Sequence, residues 1–214
     1  MDLQALSQWL FLRLKQTLPG KDAHQRMFAS VREYPQKIPA DVRSSAVLSL
    51  LFPKNGELNV LLIKRVEDGH AHSGQISFPG GRQEPFDADL RATALREAQE
   101  EVGIVSSKVT IIGALTELYI PVSNFLVHPF LAFSEVEPQF NISHEEVDYP
   151  IEWPLKELLD KEHKTIARVT SAADASFSRS VNAYRTTNNL IIWGATAMML
   201  SELEVLLEEF NTNK

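Results

Sequence analysis

The chain has 214 residues, no cysteine, and 28 acidic against 21 basic side chains, which gives a formal net charge of −7. This length suits one domain with a large core, spanning residues 1–214, and the lack of cysteine excludes disulfides and thiolate catalysis. The acid excess argues against general binding to nucleic acids or to anionic membranes. Because no apolar run reaches membrane-spanning length and no secretory leader pattern is present, we expect a soluble cytoplasmic protein.

The first third of the chain predicts a helix and then a β-hairpin. Apolar residues recur at helical spacing through residues 2–17, before Pro19-Gly20, and we assign this helix to an N-terminal flank, residues 1–40. Residues 45–52 and 58–63 are apolar runs that predict two strands. The Pro-Lys-Asn-Gly segment between them contains Asn-Gly, a pair typical of tight hairpin turns.

The next segment predicts a short helix that carries a cluster of carboxylates. Glu97, Glu100 and Glu101 stand at i, i+3 and i+4, so they project together from one face. Gly103 is placed where a glycine ends a helix. The opposite, apolar face consists of Leu95, Ala98 and Val102. We therefore expect one face of this helix to pack and the other to bind.

Three crowded glutamates repel one another, which indicates a bound cation. Oxygen ligands without cysteine or suitably spaced histidine favour Mg²⁺ or Mn²⁺, and Mg²⁺ commonly shares its ligands with substrate phosphates. The alternative is a solvated acidic helix face. Arg96, which precedes the first glutamate, and the tight turn at Phe78-Pro79-Gly80-Gly81 favour the metal site.

The second half of the chain predicts strands at residues 109–118 and 127–133, a helix that begins at Pro154, and shorter strands within 165–186. Residues 190–210 predict a closing helix with a stripe of leucines. The stripe favours packing in the core, with a homodimer interface as the alternative. Strands followed by a helix, more strands and a closing helix indicate a mixed sheet covered by helices.

These residues resemble the Nudix box, which runs Gly, five residues, Glu, seven residues, Arg-Glu-apolar-x-Glu-Glu-x-Gly-apolar. The match is complete over residues 96–104. Upstream, fourteen residues separate Gly81 from Arg96 where the general pattern has thirteen, and Asp87 stands in place of the first Glu. The resemblance implies an α/β/α sandwich with a mixed sheet, here with added N- and C-terminal helices.

The longer loop and its Asp are similar to the coenzyme A pyrophosphatase branch of this family. That branch carries a second motif before the box, whose framework is present here as Leu61-Leu62, Arg65, Gly74 and Phe78-Pro79-Gly80-Gly81. Three positions depart from it. Ile63, Val66 and His70 replace a Thr, a Ser and an Arg, and the last exchange removes a permanent positive charge. Segments near residues 146–155 and 192–200 also resemble the branch.

The resemblance implies a hydrolase that uses Mg²⁺ or Mn²⁺ to cut a P–O–P bridge in a small nucleoside-diphosphate substrate. Glu97, Glu100 and Glu101 are the expected metal ligands, and Arg96 is expected to orient them or a phosphate. Glycines at 80 and 81 permit close approach of the backbone to the phosphate or to Glu97.

The general base stays open at this point: Glu100, Glu101, Glu145 and Glu146 are candidates, and we rank Glu146 among the catalytic residues. Four basic side chains before the turn are expected to bind phosphates: Lys64, Arg65, His70 and His72. Phe86 and Tyr119 are aromatics that either stack on a base or pack.

Three functions are compatible with this sequence. The first is hydrolysis of coenzyme A or its thioesters to 3′,5′-ADP and 4′-phosphopantetheine or its acyl derivative. The second is hydrolysis of ADP-ribose, NADH or a related dinucleotide, which the departures at Ile63, Val66 and His70 favour. The third is a non-catalytic nucleotide sensor or interaction module, against which the intact glutamate cluster argues.

Overall fold

A mixed eight-stranded β-sheet lies at the centre of the computed structural model, which describes residues 2–28, 37–69, 73–170 and 178–212. Its strands are β1 (Arg43–Lys54), β2 (Glu57–Arg65), β3 (Ile76–Ser77), β4 (Gly80–Arg82), β5 (Thr110–Ala114), β6 (Leu118–Ile120), β7 (Phe125–Phe133) and β8 (Val147–Pro154). A second sheet contains β9 (Lys164–Thr170), β10 (Ser178–Arg185) and β11 (Ile191–Trp193). The helices are α1 (Leu3–Arg13), α2 (Gly20–Gln25), α3 (Leu90–Val102), α4 (Leu155–Leu159) and α5 (Gly194–Thr212).

Strand β1 organises the large sheet. It pairs antiparallel with β2 through the predicted hairpin and parallel with β7 on its other side. Short β4 pairs antiparallel with the first part of β1, and β8 pairs antiparallel with β2. The sheet is therefore mixed, as the sequence predicted.

Helices cover both faces of this sheet. Leu48, Leu50 and Phe52 of β1 pack with Ala94, Ala98 and Val102 of α3 in one core. Leu51, which points to the opposite face, belongs to a larger core with α1, α4 and α5. Because successive strand residues point to opposite faces, a strand buried on both sides is almost continuously apolar. The predicted α/β/α sandwich is confirmed.

Three predicted elements differ from the structure. The N-terminal helix ends at Arg13 instead of residue 17, and Gly20 begins α2 instead of only ending the pattern. The strand predicted at residues 109–118 is broken between β5 and β6. Residues 191–193, predicted as part of the closing helix, form β11, and Gly194 follows with a φ of 66°. None of the described helices is both long and apolar enough to cross a membrane.

A buried carboxylate fastens the N-terminal flank to α5. Glu202 accepts hydrogen bonds from Gly20 N–H at 3.1 Å, from the Thr116 hydroxyl at 2.6 Å and from Thr116 N–H at 3.0 Å. His24 Nε2 lies 3.3 Å from the same carboxylate. Burial by itself raises the pKa of Glu202, but the bonds from His24 and Thr116 outweigh it and the pKa is lowered. The carboxylate therefore stays paired although it is fully buried.

The close approach of Gly80 to β1 predicts that a side chain at this position destabilises the protein. A Cβ at this position would lie 2.3 Å from the Ala46 carbonyl oxygen of β1, and the φ of Gly80 is 152°. Gly80→Ala is expected to cost about 1–3 kcal/mol through overpacking, in addition to roughly 1–3 kcal/mol of strain from a backbone conformation that L residues rarely adopt. Denaturant unfolding measures the loss.

Gly56→Ala is the matched control, because Gly56 also has a positive φ, 76°, but nothing within 4 Å of its added Cβ. This variant should lose only the strain component. Equal losses in the two variants would contradict the close contact with β1.

Candidate active site

Helix α3 holds the glutamate cluster over the edge of β4. The Asp89 side chain caps its first turn by accepting a hydrogen bond from Ala92 N–H at 2.8 Å. Gly103 ends it in the left-handed conformation, with a φ of 73°. The apolar stripe of Ala94, Ala98 and Val102 anchors the helix to the sheet. Both ends and one face of α3 are therefore fixed.

Arg96 is hydrogen-bonded to three carboxylates at once. Its Nε and Nη2 atoms donate to the two oxygens of Asp87, both at 2.9 Å. Its Nη1 atom donates to Glu97 and to Glu100, each at 2.8 Å. Nη2 also donates to the Arg82 carbonyl at 3.0 Å. The guanidinium therefore joins the loop after β4 to the helix, and it holds the pKa of Asp87 far below its usual range.

Glu101 is a buried carboxylate, with only 1% of its side chain exposed. Gly80 N–H donates to it at 2.8 Å, and Arg65 Nη1 lies 3.4 Å from its other oxygen. Burial raises its pKa to about 8; the Gly80 bond and the Arg65 charge oppose this rise, while Glu97 and Glu146 add to it. Without a cation beside it, Glu101 is therefore an acid whose ionisation is costly.

The three glutamates differ in their environment, whereas the sequence predicted that all three lie on one binding face. About 1% of the Glu101 side chain is exposed, against 15% for Glu97 and 55% for Glu100. At about 100° per residue, these side chains lie roughly 20°, 60° and 120° around the helix from buried Ala94. The division into a packing face and a binding face was therefore wrong at Glu101, which lies on the packed side.

The Glu97 carboxyl group lies directly against Gly81 of β4. A Cβ on Gly81 would come within 2.5 Å of its carboxyl carbon, so a larger residue there would force the end of the Glu97 side chain to move. Burial raises the pKa of Glu97, the hydrogen bonds and charge of Arg96 lower it, and the charges of Glu100 and Glu146 raise it further. The pKa of Glu97 is raised overall.

Glu146 reaches the same cluster from a separate part of the chain. Its carbonyl accepts a hydrogen bond from Val66 N–H at 3.1 Å, at the end of β2. Its negative charge raises the pKa of both Glu97 and Glu101. Of the two candidate bases in this segment, Glu146 is the one whose charge acts on the glutamates of α3.

The donor set fits a hard divalent cation. Within the described ranges, no three Asp, Glu or His side chains form a finished metal-binding group, and Arg96 holds one oxygen each of Glu97 and Glu100. The cluster nevertheless offers only oxygen donors, the type that Mg²⁺ and Mn²⁺ prefer. Burial raises the pKa of Glu97 and Glu101, and a nearby cation would offset that cost.

Two of the four basic residues expected to bind phosphates, Lys64 and Arg65, have protein partners. The Lys64 ammonium donates to the Gly74 carbonyl and lies 3.7 Å from Glu67. Arg65 faces Glu101. His70 and His72 lie outside the described residues. Sequence reasoning missed Thr93, whose hydroxyl donates to Asp87 at 3.0 Å, because no motif marks a buried threonine in the first turn of a helix.

A family model and curated relatives that carry the same family description are similar to this chain. A family model for the NUDIX domain matches residues 42–173, more than half of the chain. An uncharacterized Nudix hydrolase NudL from Cronobacter sakazakii is 32% identical over 186 residues, which cover 85% of this chain and 92% of the relative. A protein of the same description from Yersinia pestis is 34% identical, over 69% of this chain and 71% of its own length. A solved MutT/nudix family protein from Enterococcus faecalis aligns with a TM-score of 0.49 at 16% identity, over 97% of this chain and 74% of its own.

The burial of Glu101 predicts how stability depends on pH when metal is absent. Its folded pKa, about 8, exceeds the unfolded value of 4.5, so its contribution to stability is full at low pH and is lost as the pH rises through about 8. Glu101→Gln removes this loss. In EDTA, the melting temperature of the variant relative to wild type should rise by at least about 3 °C between pH 5 and pH 8.5.

Glu100→Gln is the control, because Glu100 is mostly exposed. Its melting temperature relative to wild type should change much less over the same interval. A Glu101→Gln difference that stays constant with pH would show that Glu101 ionises normally in the folded protein.

Proposed function

The chain belongs to the Nudix hydrolase family, whose reaction is the hydrolysis of a diphosphate bond in a nucleoside-diphosphate-linked compound, and we propose that its substrate is coenzyme A or a thioester of it. The products are 3′,5′-ADP and 4′-phosphopantetheine, or the acyl derivative. The protein would act on this small molecule in the cytoplasm as a single domain, without general nucleic-acid binding. The leucine stripe of α5 (Leu200, Leu203, Leu206 and Leu207) is fully buried in the core, so it does not form the homodimer interface that was the alternative reading of its sequence.

The bidentate pair between Arg96 and Asp87 is the observation that carries this proposal. The loop after Gly81 is one residue longer than in the general family pattern, and Asp is one methylene shorter than Glu. The extra residue lies between Asp87 and Arg96, and the short Asp87 side chain reaches the guanidinium with two bonds of 2.9 Å. Loop length and residue type thus work as a unit, which supports the coenzyme A branch.

The position of Ile63 in the structure shows whether its replacement of the branch's Thr bears on the choice of substrate. Ile63 is fully buried and packs in the core with α3. A side chain in that position meets no substrate, so replacement of Thr by Ile there gives no reason to prefer another ligand. His70 and Val66 remain the departures that favour ADP-ribose or NADH as the alternative substrate.

In the proposed mechanism, Glu97, Glu100 and Glu101 would hold Mg²⁺ or Mn²⁺, which would supply positive charge to the diphosphate during its cleavage. Gly80 N–H keeps Glu101 in place, and the missing side chain at Gly81 leaves room for Glu97. Arg96 orients Glu97 and Glu100. Glu146 accepts the proton of the attacking water, with Glu100 and Glu101 as the alternative bases.

Substrate phosphates are assigned to the basic residues before the turn, Lys64, Arg65, His70 and His72, together with the backbone at Gly80 and Gly81. Arg65 already lies beside a carboxylate at the edge of the site, where a guanidinium can contact a phosphate from its other side. A non-catalytic sensor has no chemical need for a complete carboxylate cluster, and this argues against the third function.

A substrate panel tests the proposal. Purified protein with Mg²⁺ or Mn²⁺ is incubated with coenzyme A, ADP-ribose, NADH and dinucleoside polyphosphates, and the products are separated by chromatography. We expect coenzyme A to have the highest kcat/KM and to yield 3′,5′-ADP. Faster cleavage of ADP-ribose or NADH would establish the alternative, and no cleavage in the panel would favour the sensor.

Glu100→Gln and Glu101→Gln should each lower kcat by at least about a hundredfold, because a neutral amide holds a divalent cation less well in the transition state. Initial rates of coenzyme A hydrolysis at saturating metal measure the effect. Glu135→Gln, an exposed carboxylate on the loop after β7, is the control and should retain wild-type turnover. Near-wild-type rates in both site variants would remove the metal assignment.

Arg65→Ala should raise KM for coenzyme A about tenfold to a hundredfold, because a charge-assisted hydrogen bond contributes roughly 1.5–3 kcal/mol. Dephospho-coenzyme A shows which phosphate is bound: an equal rise for both compounds assigns Arg65 to the diphosphate, and a smaller rise for dephospho-coenzyme A assigns it to the 3′-phosphate. If kcat falls while both KM values stay unchanged, Arg65 only positions Glu101.

A further inference from the structure

Phe86 is the most exposed of the large hydrophobic side chains that the described part of the chain contains, at 75%. Single exposed apolar residues are common on protein surfaces and need no explanation. Phe86 differs from the others in two respects, which are the rigidity of its loop and its position relative to the carboxylates.

The loop that carries Phe86 is fixed by hydrogen bonds on both sides of the ring. Glu84 N–H donates to the Asp87 carboxylate at 2.9 Å, and Asp87 N–H donates back to the Glu84 carbonyl at 3.0 Å. Arg96 and Thr93 then hold that carboxylate on α3. Pro85, which precedes the ring, restricts the backbone further. Little backbone entropy of this loop therefore remains to be lost when a ligand contacts the ring.

The ring also lies one side chain away from the glutamate cluster. Its centroid is 5.5 Å from Arg96 Cζ, and Arg96 Nη1 is 2.8 Å from both Glu97 and Glu100. A cation near an aromatic face is attracted to it, so Arg96 and Phe86 hold each other in place. With only a quarter of the residue covered, much of the ring faces solvent.

We infer that Phe86 forms a stacking subsite for the planar base of the nucleotide substrate, beside the carboxylates that act on its diphosphate. This inference rests on the proposed function for its ligand class, a nucleoside diphosphate. Stacking of a base on an aromatic side chain strengthens binding and tolerates different bases, because every base has a π-face. The subsite therefore contributes affinity for the nucleoside and is indifferent to the group on the far side of the diphosphate.

Tyr119, the other aromatic weighed from the sequence, does not meet these conditions. It lies on β6, is partly buried, and its hydroxyl donates to Asn124 at 3.1 Å in the same hairpin. Its contacts serve the turn between β6 and β7.

Binding of two diphosphates separates the base from the phosphates. ADP and inorganic pyrophosphate, each with Mg²⁺, are titrated into wild type, Phe86→Ala, Phe86→Leu and Phe86→Trp by calorimetry. Phe86→Ala and Phe86→Leu should weaken ADP about tenfold or more, while Phe86→Trp retains it. Pyrophosphate, which has no ring, should bind all four proteins equally.

Tryptophan fluorescence supplies a second readout that a structural role would not change. In Phe86→Trp, ADP should quench the added emission by stacking, and pyrophosphate should not. Phe11→Trp is the matched control, since Phe11 is an exposed aromatic on α1 that also has a cation, Lys15, over its ring at 3.7 Å. Its emission should not respond to ADP.

Two results would overturn the inference. Unchanged ADP affinity in Phe86→Ala means that no base contacts the ring, and an equal loss for ADP and pyrophosphate means that Phe86 only supports Arg96. Neither result depends on turnover, so the inference can fail while hydrolysis of coenzyme A stands. Conversely, ring-dependent binding of ADP without hydrolysis of any diphosphate would refute the proposed reaction alone.

Discussion

The guanidinium of Arg96 is the group on which both the loop geometry and the candidate site depend. It neutralises Asp87 through two parallel hydrogen bonds and simultaneously binds Glu97 and Glu100. The Asp87 side chain is only 3% exposed, and breaking a buried ion pair by removing one partner typically costs about 3–5 kcal/mol. Without Arg96 the Asp87 carboxylate would keep the Thr93 hydroxyl as its partner on α3 but lose its ion pair, and Glu97 and Glu100 would lose the counterion that they share.

A second constraint is the close approach of β4 to its neighbours. Gly80 lies against the backbone of β1, and Gly81 lies against the carboxyl group of Glu97. The same approach allows Gly80 N–H to bind the buried carboxylate of Glu101. A side chain at Gly80 would clash with the backbone of β1, and one at Gly81 would displace the carboxyl group of Glu97, so the two glycines keep β4 close to Glu97 and Glu101.

The large cores on the two faces of the sheet stabilise the fold and so offset the unfavourable free energy of burying carboxylates at this site. A buried carboxylate with a raised pKa is unfavourable for folding at neutral pH, and α3 tolerates Glu101 because Ala94, Ala98 and Val102 anchor the helix. Residues that perform chemistry are commonly held in such costly environments by the surrounding packing. Here a surplus of negative charge lies between two guanidiniums, those of Arg65 and Arg96.

Local sequence determined the helix with its glycine end, the hairpin turn at Asn55-Gly56, and the presence of a carboxylate cluster, because these features depend on spacing and backbone preference within a few residues. The apolar runs likewise determined the mixed sheet between helices. Only the tertiary structure decided which carboxylate is buried. The helical wheel places Glu101 near Ala94, but β4, Gly80 and Arg65 must come from elsewhere in the chain before that position is closed to water.

The same reason explains the remaining differences. Residues 191–193 have an apolar pattern that suits a helix or a strand, and pairing with β10 selects the strand. The charge of Glu146 on the glutamates of α3 and the pairing of Arg65 with Glu101 both join segments far apart in the sequence. Spacing within one segment carries no information about such contacts, because they exist only after the sheet and its covering helices have packed.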